Sequence, residues 1–415
     1  MDVMVAHPAD IEAVPTTTPT EPPTRFRGAP ERNARLARPL RIAAGVRELD
    51  PHLVAELGRR MQTRDELGAS LAAAMRRPSG HPQRVAMRQF HTALTHGIDA
   101  VTDAAPELRR FFAVVDEVPS WVDPDLLERG ARAFRRLGRT RIDVLLALSL
   151  IGGYRFGGPA DLLVATGGLT GDTAMRRLGE TETWGRGVTA PGGMRRDGEG
   201  FRLTVHVRVM HALVNRGFET NGRWDSGRWG LPINQTDLAT TLGLFNSTAL
   251  LGSRALGRLV TREESRAVMH LWKYVGWLMG VDEDWLFDTE REQNVFNYHV
   301  LRVQDDVTPA GAALAQALVE GHGALPGRRG RTARARLLAM LRFFLGAEGL
   351  RDLGLPRTGV WPVLPSIAVN LVASGLVART RAGRRFLERA GDRATERELT
   401  RWFGDRHAEV GRLPG

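Results

Sequence analysis

Apolar residues recur along this chain at spacings of three and four, the period of helices that bury one face. Asp50-Pro51 supplies an N-cap followed by proline at the first helical position and opens a pattern that runs through Met75. The same spacing predicts helices over 84–103 and 106–115, and Asp123-Pro124 predicts another that runs to about Leu137. A short helical stretch follows over 176–184, then a strongly amphipathic one over 201–216. A helix of small and apolar residues is expected over 236–259. Thr261-Arg-Glu-Glu264 is a capping box that opens 261–280. Further helical segments joined by Gly/Arg/Pro loops reach about Phe403. Convincing alternating strand patterns are absent, so the expected fold class is all-α.

The expected organisation is a disordered tail over 1–45, a single large helical domain over 46–405 and a C-terminal tail over 406–415. The first thirty residues cluster Pro and Thr, a composition that resists packing, and they lack the basic and apolar regions of a signal peptide. No run reaches the ~18 apolar residues of a spanning helix. The longest candidates, 142–151 and 360–376, read as buried core helices, the second broken by Pro362 and Pro365. The expected compartment is the cytoplasm, with peripheral membrane contact left open.

Composition sharpens this in two ways. The 415 residues carry a net charge of +11, yet Lys273 is the one lysine among 58 cationic residues. Arginine spread evenly through the chain points to a GC-rich coding bias rather than a nucleic-acid face, which concentrates mixed Lys and Arg. Cysteine is absent. That excludes disulfides, thiolate nucleophiles, Cys-based zinc or iron–sulfur sites and thiolate-bound haem, leaving any metal to His, carboxylate, Tyr or Met.

Three constellations carry candidate chemistry. On the 201–216 helix, Leu203, Val207, Met210 and Val214 form an apolar stripe with His211 at its edge, and Arg208 lies one turn earlier. An ordinary core histidine remains an open reading of His211. His206 falls on another face, so the two histidines lack metal-ligand spacing. Arg177, Glu180 and Thr181 share one side of a short helix and offer a cation, a titratable carboxylate and a hydroxyl together. An exposed helix with an ion pair would look the same. Third, Trp224-Asp225 and Trp229 lead into Asn234-Gln-Thr-Asp237, and six of the nine tryptophans fall between Trp184 and Trp285. Such crowding suits a flat apolar ligand or a plain core. No GxSxG elbow, Walker glycine loop, HExxH or GxGxxG motif is present.

In order and number, these motifs resemble the mpaB/rubber oxygenase family, which includes the latex clearing proteins. The resemblance runs through Val118-Pro-Ser-Trp-Val-Asp123, Arg129-Gly130, Gly168-Leu-Thr170 and Arg176-Arg177-Leu-Gly-Glu180-Thr181. It continues through Pro191-Gly-Gly-Met194, Arg208-Val-Met-His211, Pro232-Ile-Asn234-Gln-Thr-Asp237 and the 270–282 segment that begins at His270. It implies an all-α fold with globin-like core packing around a pocket for haem b. The family's Arg-x-x-His pattern falls on Arg208 and His211, which makes His211 the axial iron ligand. Its distal Arg-x-x-x-Thr pattern falls on Arg177 and Thr181. Rubber-cleaving members have lysine where this chain has Glu180, and the position nearest to their upstream glutamate is Asp161. The implied activity is a haem-dependent oxygenase that uses O2 to oxidise or cleave an apolar alkene or prenyl-type substrate. A non-catalytic haem carrier or sensor is the alternative, and an Arg-rich nucleic-acid-binding protein a further one. Natural substrate, redox partner and oligomeric state are not readable.

Overall fold

The computed structural model describes residues 21–167, 171–324 and 327–403, all helices, turns and loops, with no strand among them. The first part of the expected tail (1–20), Gly168-Leu-Thr170 and the expected C-terminal tail lie outside these residues. In chain order the helices are α1 (Pro30–Leu36), α2 (Arg38–Ala44), α3 (Pro51–Arg60), α4 (Glu66–Met75), α5 (Met87–His96), α6 (Pro106–Val115), α7 (Pro124–Arg136) and α8 (Arg139–Val144). Then come α9 (Pro159–Ala165), α10 (Gly171–Thr189), α11 (Glu199–Thr220), α12 (Gln235–Phe245), α13 (Ser247–Ala255), α14 (Arg262–Leu278) and α15 (Glu290–Val303). The last four are α16 (Pro309–Gly323), α17 (Gly327–Asp352), α18 (Leu364–Gly375) and α19 (Arg381–Phe403).

Local signals place the helix starts. The Asp50 carboxylate accepts from the N–H groups of His52 (2.9 Å) and Leu53 (3.3 Å), and Asp123 does the same for Asp125 and Leu126. Thr261 and Glu264 form the expected capping box. The expected helix over 236–259 divides at Asn246, whose side-chain oxygen accepts from the N–H of Ser247 while its amide donates to Gln293 Oε1 (2.9 Å). The segment from Asp50 to Met75 likewise divides into α3 and α4. Over 142–151 the chain leaves the α-helical pattern for a π-helical stretch, Leu145–Leu150. Such bulges recur at functional sites.

Two expectations need correction. Residues 21–45 are folded, although the sequence suggested a disordered tail there. Arg25 is buried: its Nε donates to Trp229 O (2.7 Å), its Nη1 to Gly157 O (3.3 Å) and its Nη2 to Asp237 Oδ2 (2.5 Å). α2 packs on α15, so tertiary contacts override a composition that disfavours local order. The second correction concerns 360–376. Of α18 only Asn370 and Ala373 are buried, and most of its apolar side chains face outward.

The main core gathers side chains from α3–α7, α11, α12, α14 and α15, with Phe90, Phe111, Phe112, Phe134 and Trp272 among its fully buried members. A second core joins the π-helical stretch to α16 and α17. α10 lies between the two, in contact with α7, α11, α16 and α19. The buried pair Arg141–Glu182, extended by a bond from Arg141 to Thr395 Oγ1 (2.9 Å), ties α8, α10 and α19 together.

Candidate active site

α10 and α11 form an antiparallel pair whose connection is built on glycine. A Cβ on Gly193 would lie 2.1 Å from Gly187 O, and one on Gly200 would lie 2.6 Å from the same oxygen. The Pro191-Gly-Gly-Met194 motif therefore allows a backbone approach that no side chain would fit. Deeper in, Trp184 Nε1 donates to Thr204 Oγ1 (2.9 Å). Stepping one and two turns from that bond sets Thr181 near the level of Val207, and Arg177 near that of His211.

α11 has two unlike faces. Thr204, Val205, Arg208, Val209 and Ala212 are buried. The expected apolar stripe of Leu203, Val207, Met210, His211 and Val214 is only half-buried, although α4, α5, α11's partner α10 and α14 all pack around this helix. Burial nevertheless pushes the His211 pKa down to about 4, with Asp65 opposing the shift. The ring is thus held among protein groups while part of it stays accessible. Leu145, Leu238 and Phe245 are half-covered in the same way against the main core. Phe245 in turn packs ring on ring with Trp184 and Trp272, all centroids 5.1–5.6 Å apart.

His211 Nδ1 is buried with no hydrogen-bond partner among the described residues. A neutral imidazole with an unsatisfied nitrogen beside apolar surface is costly unless a ligand uses it. Among the described residues no cluster of three or more His, Cys, Asp or Glu could hold a metal ion. The donor set thus fits a metal that brings most of its own ligands and needs one imidazole from the protein.

Arg208 is engaged elsewhere. Its Nε and Nη2 donate to Asp65 Oδ2 (2.7 Å) and Oδ1 (2.8 Å), its Nη1 to Leu278 O (3.3 Å), and its guanidinium stacks over Phe111. It positions α11 against α4 and α14, and Asp65, which sequence reasoning missed, is its counter-ion. Arg177 is also engaged: it donates to Leu163 O (3.4 Å), Thr166 O (3.2 Å) and Thr166 Oγ1 (3.1 Å), satisfying the C-terminal end of α9. Thr181 is exposed and donates to Arg177 O (3.0 Å). Glu180 is half-buried and pairs with Arg176 (3.6 Å) rather than Arg177. Burial raises its pKa while Arg176 and Arg177 pull it down. Asp161 accepts from Gly158 N–H (2.9 Å) and Thr308 Oγ1 (3.1 Å), capping α9 at its start.

Arg177, Glu180 and Thr181 thus share α10, which packs on the helix that carries His211, while Arg208 and Asp161 bond to other elements. His206 stacks on His91 (5.8 Å). His270 Nε2 accepts from the Asp123 N–H (3.0 Å) and its ring meets Trp121 edge-on, so the Trp121–Asp123 motif and His270 serve one structural corner. Asp237 takes Arg25 and the Asn234 amide (2.8 Å).

The site thus comprises an all-α frame and one imidazole without a hydrogen-bond partner beside half-buried apolar side chains. Residues 135–382 match the family described as ER-bound oxygenase mpaB/B'/Rubber oxygenase, catalytic domain. The chain belongs to that family of oxygenases. It is 24% identical to a rubber oxygenase from Streptomyces sp. (strain K30) over 276 residues, 64% of this chain and 67% of that one. Its fold is similar to that of latex clearing protein LCP in the closed state, with a TM-score of 0.54, 20% identity, and coverage of 84% of this chain and 92% of that structure.

Proposed function

We propose that this protein is a haem b-dependent oxygenase that uses O2 to oxidise or cleave an apolar alkene or prenyl-type substrate. One observation carries the reading: the orphaned, neutral imidazole of His211 at the edge of a half-covered apolar stripe. His211 would hold the haem iron, and Leu203, Val207, Met210 and Val214 would offer it apolar surroundings. When bound, haem b supplies the one-electron and O2 chemistry that no side chain can provide.

The chain's own groups do the rest. Arg177, fixed by the end of α9, sets a positive charge level with His211 that does not swing away. Thr181 offers a hydroxyl one turn further along. Glu180 holds or releases a proton at its carboxylate oxygens, and its raised pKa brings it nearer the range in which general acid–base catalysis is effective. Asp161 acts on this set only through α9. Apolar walls exclude water and select an apolar substrate.

A haem carrier or sensor is the second reading, and the hydrogen bonds already made by Arg177 and Thr181 favour it. The deciding experiment is expression with ample haem, followed by an absorption spectrum, a pyridine haemochrome assay and O2 uptake with an oligo-isoprenoid. The oxygenase reading expects a Soret band and O2-dependent carbonyl products, with turnover lowered by Glu180→Gln. A coloured protein without turnover leaves the carrier; a colourless one that takes up no haem removes both.

A further inference from the structure

Most of the exposed large apolar side chains among the described residues fall on one stretch, from Val360 to Phe386. On and beside α18, Trp361, Leu364, Val369, Leu371, Val372 and Leu376 are 46–76% exposed. An apolar area of this concentration on a soluble surface marks a place where something else binds. Its inner side is firmly held: Asn370 accepts from Thr140 Oγ1 (2.9 Å) and donates to Leu256 O (2.8 Å), and Val363 and Ala373 are buried.

Composition over Trp361–Arg379 would suit a membrane span, with a mean hydropathy of 1.6. Length alone would allow crossing, since α18 and the turns that flank it make 19 residues. Geometry opposes it. Single 3₁₀ turns end α18 on both sides, and Asn370 fastens it lengthwise to the protein body. The helix therefore lies along the surface with its apolar side outward.

The surrounding charge names the occupant. Arg357, Arg379, Arg381, Arg384 and Arg385 fringe the stretch, and no Asp or Glu occurs between Leu353 and Leu387. Among the described residues none of the five has a carboxylate partner; Arg384 donates to Ala378 O (2.9 Å). Some arginines elsewhere are paired within the protein, as Arg60 is with Glu56, Asp282 and Asp284. A second copy of the chain, docked by two-fold symmetry, would set these unpaired arginines against themselves. A neutral apolar surface would leave them unused.

We propose that α18 and its arginine fringe form an in-plane docking surface for an anionic phospholipid bilayer. The outward apolar side chains enter the headgroup–acyl boundary, Trp361 sits at the border, and the arginines meet lipid phosphates. The proposal does not depend on haem or turnover.

Co-sedimentation of the full chain with phosphatidylcholine vesicles, with and without about one-third phosphatidylglycerol, tests it. Binding is expected only with the anionic lipid and weakens as salt is raised. The double change Val372→Asp/Leu376→Asp lowers the partition coefficient about tenfold or more. Neutralising Arg381→Gln and Arg385→Gln lowers it about fivefold per charge, and both variants keep the absorption spectrum of the parent protein. Equal binding to pure phosphatidylcholine overturns the proposal, as does binding that neither variant alters. So does a lipid-free dimer that Val372→Asp/Leu376→Asp dissociates, or duplex DNA retention that depends on the arginines but not on the apolar side chains.

Discussion

α11 and α18 both carry an apolar stripe that the other described residues leave partly uncovered. On α11 the stripe faces inward: neighbouring helices surround it, yet Val207, Met210 and Val214 stay half-buried and His211 keeps a nitrogen without a partner. On α18 it faces outward, and the helix's buried polar residue, Asn370, has both amide atoms satisfied. Apolar periodicity says that a face must be covered; it does not say by what. The polar group inside the stripe makes the distinction. An unsatisfied imidazole among apolar neighbours calls for a ligand, whereas a satisfied amide on the opposite side pins a helix and leaves its apolar side outward.

The sharpest break between the two regions comes from His211→Ala. It is expected to abolish haem retention, read as loss of the Soret band after gel filtration, while vesicle binding stays unchanged. If vesicle binding falls with it, the two faces are not independent. Next in size is Arg208→Met, which leaves Asp65 as an uncompensated, nearly buried carboxylate. A cost of about 3–5 kcal/mol is expected in denaturant unfolding, against little change for any single arginine of the α18 fringe. Asn370→Ala removes two buried hydrogen bonds beneath α18. It is expected to cost about 1–3 kcal/mol and to raise hydrogen exchange across α18 without altering the haem spectrum.

The smallest effect is a pH slope. Burial lowers the pKa of His322 below its ordinary 6.5, outweighing the bond from its ring to Leu318 O. The unfolded chain then takes up this proton at a higher pH than the folded one. The stability due to neutral His322 is full above pH 6.5 and is lost as pH falls towards the folded value. His322→Asn should flatten unfolding free energy against pH in that interval.

Local chemistry is what the sequence displays best. The caps at Asp50, Asp123 and Thr261 bond within three residues of themselves, so their chemistry is visible in a short window. The His211 stripe was legible because helical spacing alone defines it. The Asp65–Arg208 pair spans 143 residues, and nothing near Asp65 distinguishes it from an ordinary cap. The break at Asn246 depends on Gln293, and the outward turn of α18 depends on Thr140 and Leu256; both are long-range facts. Family resemblance reached Arg177 and Thr181, but only the structure shows that their hydrogen bonds run to α9 and to their own helix.

Arg25 carries a consequence for the order of events in folding. Its partners at Gly157, Trp229 and Asp237 lie 132, 204 and 212 residues downstream. During synthesis the guanidinium leaves the ribosome long before the carboxylate that receives it exists, and closing so long a loop comes late. The N-terminal segment therefore waits as a strap, fastening only after the helices it crosses have met. A probe on Arg25 would report the final step in the assembly of this domain.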